Sequence, residues 1–443
     1  MSERSREVTA NTSAIPGVVV VGAGFGGLSV VRRLRYVACQ VTVIDKSSQH
    51  LFQPLLYQVA TGVLSPGEIA PPLREVLRRR PNVRVVLGEV AGFDLARRVV
   101  TVTGADSEQH EVPYDILVVA AGAETSYFGH DDWAPHLYPL KTLEQAIDLR
   151  SRLLRSFEIA SEKPDPAIRR AWTTFAIVGG GPAGVELAGQ LATIARQFRR
   201  EYRMLDTTQA RIVVADSGAE ILSSFPKLLS TRARRKLERM GVEFRLGQLA
   251  VGVDECGIDL KKASGEGERV DARTVIWAAG VDAASLARTL AGAAGLPVDK
   301  KGRIKAEPGC TLLGHPEIFV IGDMADQQGL PGLCEPAMQE GWYVARAIRR
   351  KLACKVDPPP FRYRDLGTLA TISATDAVAD IFGLKLSGLP GKLAWAFVHV
   401  AFLIGWGNRF FVLARWFWGI VVRNRGERVV LNLGPRRPSV APA

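Results

Sequence analysis

The stretch that most constrains this chain is Val18-Val19-Val20-Val21-Gly22-Ala23-Gly24-Phe25-Gly26-Gly27. Four consecutive valines read as a strand buried on both faces, because strands of a covered parallel sheet are apolar without alternation. Three glycines follow as G-x-G-x-x-G, at Gly22, Gly24 and Gly27, and residues 28–35 read as a helix. The spacing has a physical reason. The first glycine permits a tight turn, the second lets backbone approach a pyrophosphate, and the third lets helix and strand pack closely. The phosphate charge then lies on a helix N-terminus, where unpaired N–H groups and the helix dipole favour an anion. A second strand, Val41-Thr42-Val43-Ile44, ends in Asp45, 23 residues after Gly22, where a carboxylate can accept ribose hydroxyls. Phe25, Gly26 and Lys46 adjoin these positions and are counted with them as cofactor-binding. A lone glycine motif is a weak signal; strand, glycines, helix, strand and terminal acid in series are a strong one.

The pattern occurs twice. Thr174-Phe175-Ala176-Ile177-Val178 reads as a strand, Gly179-Gly180-Gly181-Pro182-Ala183-Gly184 is a second glycine loop, and residues 185–198 read as its helix. The next strand, Arg211-Ile212-Val213-Val214-Ala215, ends in Asp216, 37 residues after Gly179, the polar insertion 199–210 accounting for the extra length. Such an internal repeat implies two dinucleotides, or one held across both units. Asp216 has no arginine directly after it, which favours an unphosphorylated ribose and hence NAD(H) over NADP(H); the competing reading is a simple turn cap. Gly179, Gly181, Pro182, Gly184 and Asp216 form the second candidate set. The strand ends Ala120-Ala121-Gly122 and Ala278-Ala279-Gly280 carry small residues, which permit a cofactor to come close. A further apolar strand, Ile318-Phe319-Val320-Ile321, closes with Gly322-Asp323, whose carboxylate can bond a ribityl chain. Beside two glycine loops that Gly-Asp pair is informative; alone it is an ordinary turn.

The remaining segments are read more simply. The stretch His50-Leu51-Phe52-Gln53-Pro54-Leu55-Leu56-Tyr57-Gln58-Val59-Ala60-Thr61-Gly62 is apolar without a clear period, and reads either as core packing or as an apolar wall beside the reactive end of a cofactor. Residues 69–80 and 141–159 read as helices. A length of 443 residues accommodates two or three domains. Residues 1–15 are polar, lack an apolar h-region and read as a disordered tail rather than a secretory signal. The five cysteines are scattered, with no C-x-x-C or C-x-x-x-x-C spacing, so neither a metal site nor a redox disulfide is expected. That usage suits a reducing compartment.

The C-terminal end differs from the rest. Of the net charge of +12, +8 falls in the last 63 residues, where Lys385, Lys392, Arg409, Arg415, Arg423, Arg425, Arg428, Arg436 and Arg437 face the single acid Glu427. Such asymmetry points to a polyanionic surface. Residues 393–404 carry no charge, 405–409 break the run, and 410–422 carry only Arg415. Both runs are shorter than the ~20 residues a spanning helix needs. Trp395, Trp406, Trp416 and Trp418 lie here with flanking arginines, a composition that suits the headgroup region of a membrane. The competing readings are a buried helical hairpin and a dimer interface. A transmembrane hairpin is opposed by Arg409 and Arg415, and nucleic-acid binding is not expected, because the basic residues sit among tryptophans in apolar runs.

Taken together, these residues resemble the type II NADH dehydrogenases, the single-subunit, non-pumping NADH:quinone oxidoreductases. The resemblance covers nearly the whole chain after residue 15 and is carried by segments 20–28, 50–62 with 64–66, 125–130, 178–189, 277–281, 319–325, 336–341 and 361–367. The string from His50 to Gly62 is far more specific than either glycine loop. The fold so implied is α/β: two Rossmann-like dinucleotide-binding domains of the FAD/NAD(P)-linked reductase type plus a C-terminal membrane-associated helical segment. The implied division is an FAD-binding domain over 16–140 and 281–355, an NADH-binding domain over 141–280 and a membrane-anchoring region over 356–443. Gly22, Gly24, Gly26, Asp45 and Asp323 would hold FAD; Gly179, Gly181, Gly184 and Asp216 would hold NADH, with Gly280 near it. Glu186 matches a glutamate near the nicotinamide–flavin contact, and Gln339 a glutamine beside flavin and quinone. Ala183, Ala121 and Glu335 depart from the usual residues, and Ser373-Ala374-Thr375-Asp376 lacks the usual basic residue; the last two departures bear on the quinone pocket.

The function implied is hydride transfer from NADH to FAD and passage of two electrons to a membrane quinone. Glu186, Glu335 and Glu340 are the candidates to relay the protons that quinone reduction consumes, since a carboxyl in an apolar site has a raised pKa. Solvated helix acids are the plainer reading of the three. The expected location is peripheral, on the cytoplasmic face of the plasma membrane against inner-leaflet lipids. No residue decides for or against a homodimer through the C-terminal helices. Two rivals compete: another two-dinucleotide flavoenzyme, such as a sulfide:quinone oxidoreductase or a disulfide or ferredoxin reductase, and a membrane-bound flavoprotein with a different acceptor or a redox-sensing role. The absent cysteine pairs oppose the sulfur chemistries, and the hydrophobic tail opposes a soluble reductase.

Overall fold

The computed structural model describes residues 15–422 and 426–429. Of the expected N-terminal tail only Ile15 falls among these, and Arg423, Arg425, Arg436 and Arg437 of the basic tail lie outside the described residues. The described residues fall into two compact units: one of 15–48, Leu73–Ala123 and Asp282–Tyr363, the other of Gln49–Pro72, Glu124–Val281 and the described residues from Arg364 onward. These limits differ from the division expected above. The string from His50 to Gly62 belongs with the second glycine loop, not the first, and so do residues 124–140 and the C-terminal region.

The first unit is built on an eight-stranded sheet in the order Thr311–Leu312, His315–Val320, Ile116–Val119, Gly17–Val21, Gln40–Asp45, Val83–Asp94, Val99–Gly104, Gln109–Pro113. The strands from His315–Val320 to Val83–Asp94 run parallel. Gly17–Val21, Gln40–Asp45 and Ile116–Val119 are largely or wholly buried, as the uniform valine run requires. From Gly17–Val21 the chain first adds Gln40–Asp45 on one side and later Ile116–Val119 on the other. The strand order therefore reverses at the carboxyl end of Gly17–Val21, the place where open α/β sheets bind ligands. The helix Phe25–Arg33 starts within the glycine loop, earlier than the residue pattern suggests, because its first turn is the loop itself.

The second unit repeats the scheme. Its parallel sheet runs Val242–Leu246, Arg211–Asp216, Thr174–Val178, Thr274–Trp277, Leu137–Pro139, and the order reverses at the carboxyl end of Thr174–Val178. The helix Pro182–Phe198 follows the second loop with proline in its first position, where a missing N–H costs nothing. The long charged helix is Leu143–Glu162, started by a capping box between Thr142 and Gln145. The helix expected over 69–80 is instead two short ones, Pro66–Ile69 and Leu73–Leu77. Pro71-Pro72 lie between them, lacking N–H groups and turning the preceding residue away from helical geometry. An antiparallel meander, Thr368–Thr371, Ala377–Ile381 and Leu384–Gly388, leads into the helices Leu389–Phe402 and Trp406–Val422, separated at Gly405, whose φ is +92°. Phe397, Trp406, Phe410, Phe417 and Trp418 are exposed on them. Among the described residues no helix is long and apolar enough to cross a membrane.

Candidate active site

The two glycine loops have the same internal geometry. In the first unit Gly22 has φ +92°, and a Cβ there would lie 2.3 Å from the Ala120 carbonyl oxygen; a Cβ on Gly27 would lie 1.9 Å from the Gly22 carbonyl oxygen. In the second unit Gly179 has φ +115° with a Cβ position 2.8 Å from Ala278 backbone, and a Cβ on Gly184 would lie 1.9 Å from the Gly179 carbonyl oxygen. The middle glycines differ from these. A Cβ on Gly24 or Gly181 would meet nothing within 4 Å, so each loop is open on the side where backbone must admit a phosphate. Both loops therefore fit the diphosphate of a dinucleotide.

The two strand-end acids brace the loops they face. Asp45 accepts the Ala23 N–H at 2.6 Å and the Ser47 N–H at 2.7 Å. Burial raises the pKa of its carboxyl, and these two bonds pull the other way. Asp216 accepts the Gly180 and Gly218 N–H groups, each at 2.6 Å. A carboxylate has about four lone-pair sites, so capacity for ribose hydroxyls remains. Lys46, beside Asp45, is exposed, and Phe25 opens its helix half-buried.

The other first-unit candidates gather around the start of the helix Cys334–Leu352. The Ala121 N–H donates to Met324 Sδ at 3.0 Å, and Gly122 has φ +75°. The Gly322 N–H, just before Asp323, donates to Glu340 at 2.6 Å. Glu340 is buried, and burial lifts its carboxyl to about 7 against that hydrogen bond. The Gln339 side-chain amide donates to Glu335 Oε1 at 3.1 Å, one turn earlier on the same helix. A Cβ on Gly26 would lie 3.2 Å from Ile321 and 3.3 Å from the Ala337 carbonyl, which accounts for glycine at that position.

In the second unit Gly280 has φ +70°, and its missing Cβ is replaced by the Phe128 ring, whose nearest atom lies 2.4 Å from the Cβ position. Glu186 stands in the first turns of the helix Pro182–Phe198 and is buried. It accepts the Thr371 N–H at 3.1 Å. Burial raises its carboxyl to about 8; the Thr371 bond, the Lys392 charge and the Trp395 side chain oppose the rise. Lys392 Nζ donates to Thr371 Oγ1 at 2.8 Å and lies 3.8 Å from the centroid of the Trp395 ring. Burial lowers the Lys392 ammonium to about 8, the Glu186 charge opposing. His399 stacks on Trp395 with centroids 4.2 Å apart, and burial holds it down to about 4, hence neutral near pH 7.

The string from His50 to Gly62 supplies another wall of this polar cluster. Tyr57 is buried, and burial, then the Glu186 charge, push its phenol well above its ordinary range. Gln58 donates to the Tyr57 hydroxyl at 2.9 Å and accepts the Trp416 indole N–H at 2.7 Å. Lys392 is the residue that sequence reasoning missed. It was counted only as charge in a basic tail. Its signal was its placement three residues before Trp395 and seven before His399, on one face of an otherwise apolar helix. At the stretch 373–376 itself, Lys236 from the helix Lys227–Arg239 lies 3.6 Å from Asp376.

Residues 16–341 match the family model described as pyridine nucleotide-disulphide oxidoreductase. The type II NADH:quinone oxidoreductase Ndh of Mycobacterium tuberculosis is 40% identical over 430 residues, 96% of this chain and 93% of that protein. NdhA of the same organism, also a type II NADH:quinone oxidoreductase, is 40% identical over 428 residues, covering 95% and 91%. The structure of NDH2 from Plasmodium falciparum in complex with NADH superposes with a TM-score of 0.85 at 18% identity, covering 94% of this chain and 100% of that one.

Proposed function

The chain belongs to the type II NADH:quinone oxidoreductases and to the pyridine nucleotide-disulphide oxidoreductase family, and we propose on that premise that it moves a hydride from NADH to FAD and two electrons on to a membrane quinone without pumping protons. The observation that carries this reading is the repeat: two complete dinucleotide loops, each open at its middle glycine, each at a switch point of its own sheet. An enzyme of one dinucleotide has no need of the second. FAD, when bound, supplies the two-electron chemistry.

The residues divide the work as follows. Gly22, Gly24 and Gly27 receive the FAD diphosphate, with Asp45 and Asp323 at its hydroxyls. Gly179, Gly181 and Gly184 receive that of NADH, and Asp216, a fixed negative charge at the ribose, disfavours a 2′-phosphate. Pro182 pre-sets the first helical turn there. Quinone reduction takes up two electrons and two protons; the hydride from NADH accounts for both electrons and one proton, so each turnover needs one further proton. Glu186 is protonated near pH 7 and is the donor; the Lys392 charge keeps its proton from being held too tightly. Glu340 acts through Gly322 on the Asp323 turn, and Glu335 orients Gln339. The exposed aromatic residues and arginines of the last two helices support peripheral attachment to anionic lipid of the inner leaflet, on the cytoplasmic side where NADH is found.

The test is NADH oxidation by the detergent-purified protein with and without a short-chain quinone, NADPH serving as control. The expected result is quinone-stimulated turnover with NADH preferred. Rapid reduction of the flavin by NADH, with no quinone reoxidising it quickly, would leave the cofactor assignments standing and refute the acceptor.

A further inference from the structure

The first unit carries a second concave feature, which shares Gln339 with the assignments above and none of their other residues. On the helix Cys334–Leu352, Gln339, Trp342, Arg346 and Arg349 recur at steps of three and four residues and so share one side. Together with Arg33, Tyr343, Pro359, Pro360, Phe361 and Arg362 they line a groove of about 780 Å³. The Arg33 guanidinium lies over the Trp342 ring, 4.9 Å from its centroid, and Arg346 lies over Tyr343 at 5.7 Å. Phe361 meets Tyr343 edge-on at 5.7 Å, so the floor is aromatic and fixed.

The charge balance of this groove is unusual. Four guanidinium groups line it and no carboxylate does. Among the described residues none of the four forms an ion pair within 4 Å; the carboxylates that bear on the lining residues are Glu335, which accepts the Gln339 amide, and Asp357, which acts on Tyr343 against Arg346. Like charges gathered in one concavity repel one another, and that cost is recovered when an anion enters. The guanidinium fork matches phosphate oxygens two at a time, and four forks match more than one charge. The volume falls within the few hundred to about 1,000 Å³ typical of small-molecule sites. The groove is also separate from the first glycine loop. Arg33 ends the nine-residue helix that the loop begins, about 13 Å along its axis at 1.5 Å per residue. That helix end carries a negative partial charge, so the arginines, not the helix dipole, make the place attractive to an anion.

We propose that this groove binds a phosphate-bearing anion of two or more negative charges, presented either by a free organic polyphosphate or by the headgroup of an anionic lipid. The proposal rests on the four arginines, none of which belongs to the assigned site that the groove meets at Gln339, and stands whichever acceptor the enzyme uses. The probe is inorganic tripolyphosphate, titrated calorimetrically into the FAD-loaded protein saturated with NAD⁺, so that the nucleotide site is already filled. A parallel arm measures sedimentation with vesicles containing cardiolipin, whose headgroup carries two phosphates, against phosphatidylcholine vesicles.

Tripolyphosphate is expected to bind one to one. The variant Arg346→Ala/Arg349→Ala should weaken it by roughly tenfold or more, with FAD content and thermal midpoint unchanged, because both arginines are exposed. Arg362→Ala, on a separate segment, should weaken it independently, and Arg346→Lys/Arg349→Lys should restore part of it. Absence of tripolyphosphate binding, with a cardiolipin-specific loss of sedimentation in the same variants, would assign the groove to a lipid headgroup. Binding and sedimentation that are both absent, or both indifferent to these substitutions, would overturn the proposal.

Discussion

Replacing Glu186 with glutamine should make the protein more stable, and by an amount that grows with pH. The carboxyl titrates at 4.5 when unperturbed and at about 8 in the fold, because burial opposes its charge. Between those values the unfolded chain has released the proton and the native chain still holds it. The native state therefore binds more protons, and wild-type stability falls as pH rises through that window. Each pH unit of separation is worth about 1.36 kcal/mol, so the full cost of carrying Glu186 is on the order of 4–5 kcal/mol above pH 8. Glutamine keeps the shape and leaves an oxygen to accept the Thr371 N–H, but does not titrate. At pH 5 Glu186 is neutral in the native wild type, so Lys392 faces an uncharged partner in both proteins and the two should differ little. By pH 8 the variant should be ahead by several kcal/mol, with a slope of about 1.4 kcal/mol per pH unit between. Urea unfolding at saturating FAD, from pH 5 to 9, measures this directly. A stability difference that does not change with pH, or wild-type stability that rises through the window, would refute the burial argument. The same variant should turn over NADH and quinone slowly while keeping its flavin; loss of flavin would make Glu186 a structural residue and remove it from the proton path.

Three further outcomes follow from the same geometry. Gly184→Ala places a methyl group 1.9 Å from the Gly179 carbonyl oxygen, so NADH affinity should fall by an order of magnitude or more while flavin absorbance is retained; Gly27→Ala, with the same clash in the first unit, should instead lose flavin. Lys392→Met removes the charge that lowers the Glu186 pKa, so the alkaline limb of the kcat–pH profile should move to higher pH, and an unmoved limb would uncouple the two residues. Phe410→Asp/Phe417→Asp introduces charge at two exposed positions of the last helix, and should release the protein from anionic vesicles with NADH reduction of the flavin intact; a variant that still sediments would remove the last helix from the attachment.

The glycine loops were legible because their constraints are local. A positive φ or a carbonyl 2 Å away excludes every side chain at Gly22, Gly27, Gly179 and Gly184 whatever the rest of the chain does, and that exclusion is written in four residues. The terminal acids were legible for position but not for all their partners. Asp45 and Asp216 were expected to face ribose, and in the fold each accepts a backbone N–H of its own loop. What was not legible depends on distant segments. The string from His50 to Gly62 follows the first loop in sequence, yet its compact unit is that of the second, and no property of its own residues says so. Lys392 read as surface charge because a lysine in a basic tail is normally solvated; its burial beside Glu186 and Thr371 exists only once the C-terminal helix has packed.

The repeat also explains why its two copies differ in use. Seven residues after the first glycine of each loop stand Ser29 and Glu186. In the first unit that turn of helix packs against the helix Cys334–Leu352 with no room to spare: a Cβ on Gly341 would lie 2.5 Å from the Gly26 carbonyl oxygen and 2.8 Å from Ser29 Cβ. Glycine is therefore required at 341 for the two helices to approach this closely. In the second unit the equivalent helix packs instead against the C-terminal meander, where Gly189 admits the Ile372 carbonyl and the Thr371 N–H is aimed at the seventh position. The same βαβ unit thus receives two different third layers. One layer, a close-packed helix, leaves a dinucleotide loop with an uncharged serine at the seventh position. The other, a short sheet with an unspent N–H and a lysine arriving from the next helix, can hold a buried carboxyl on a helix that begins in the nucleotide loop. The chemistry that separates the two halves lies in what each glycine helix is packed against, not in the glycine motif they share.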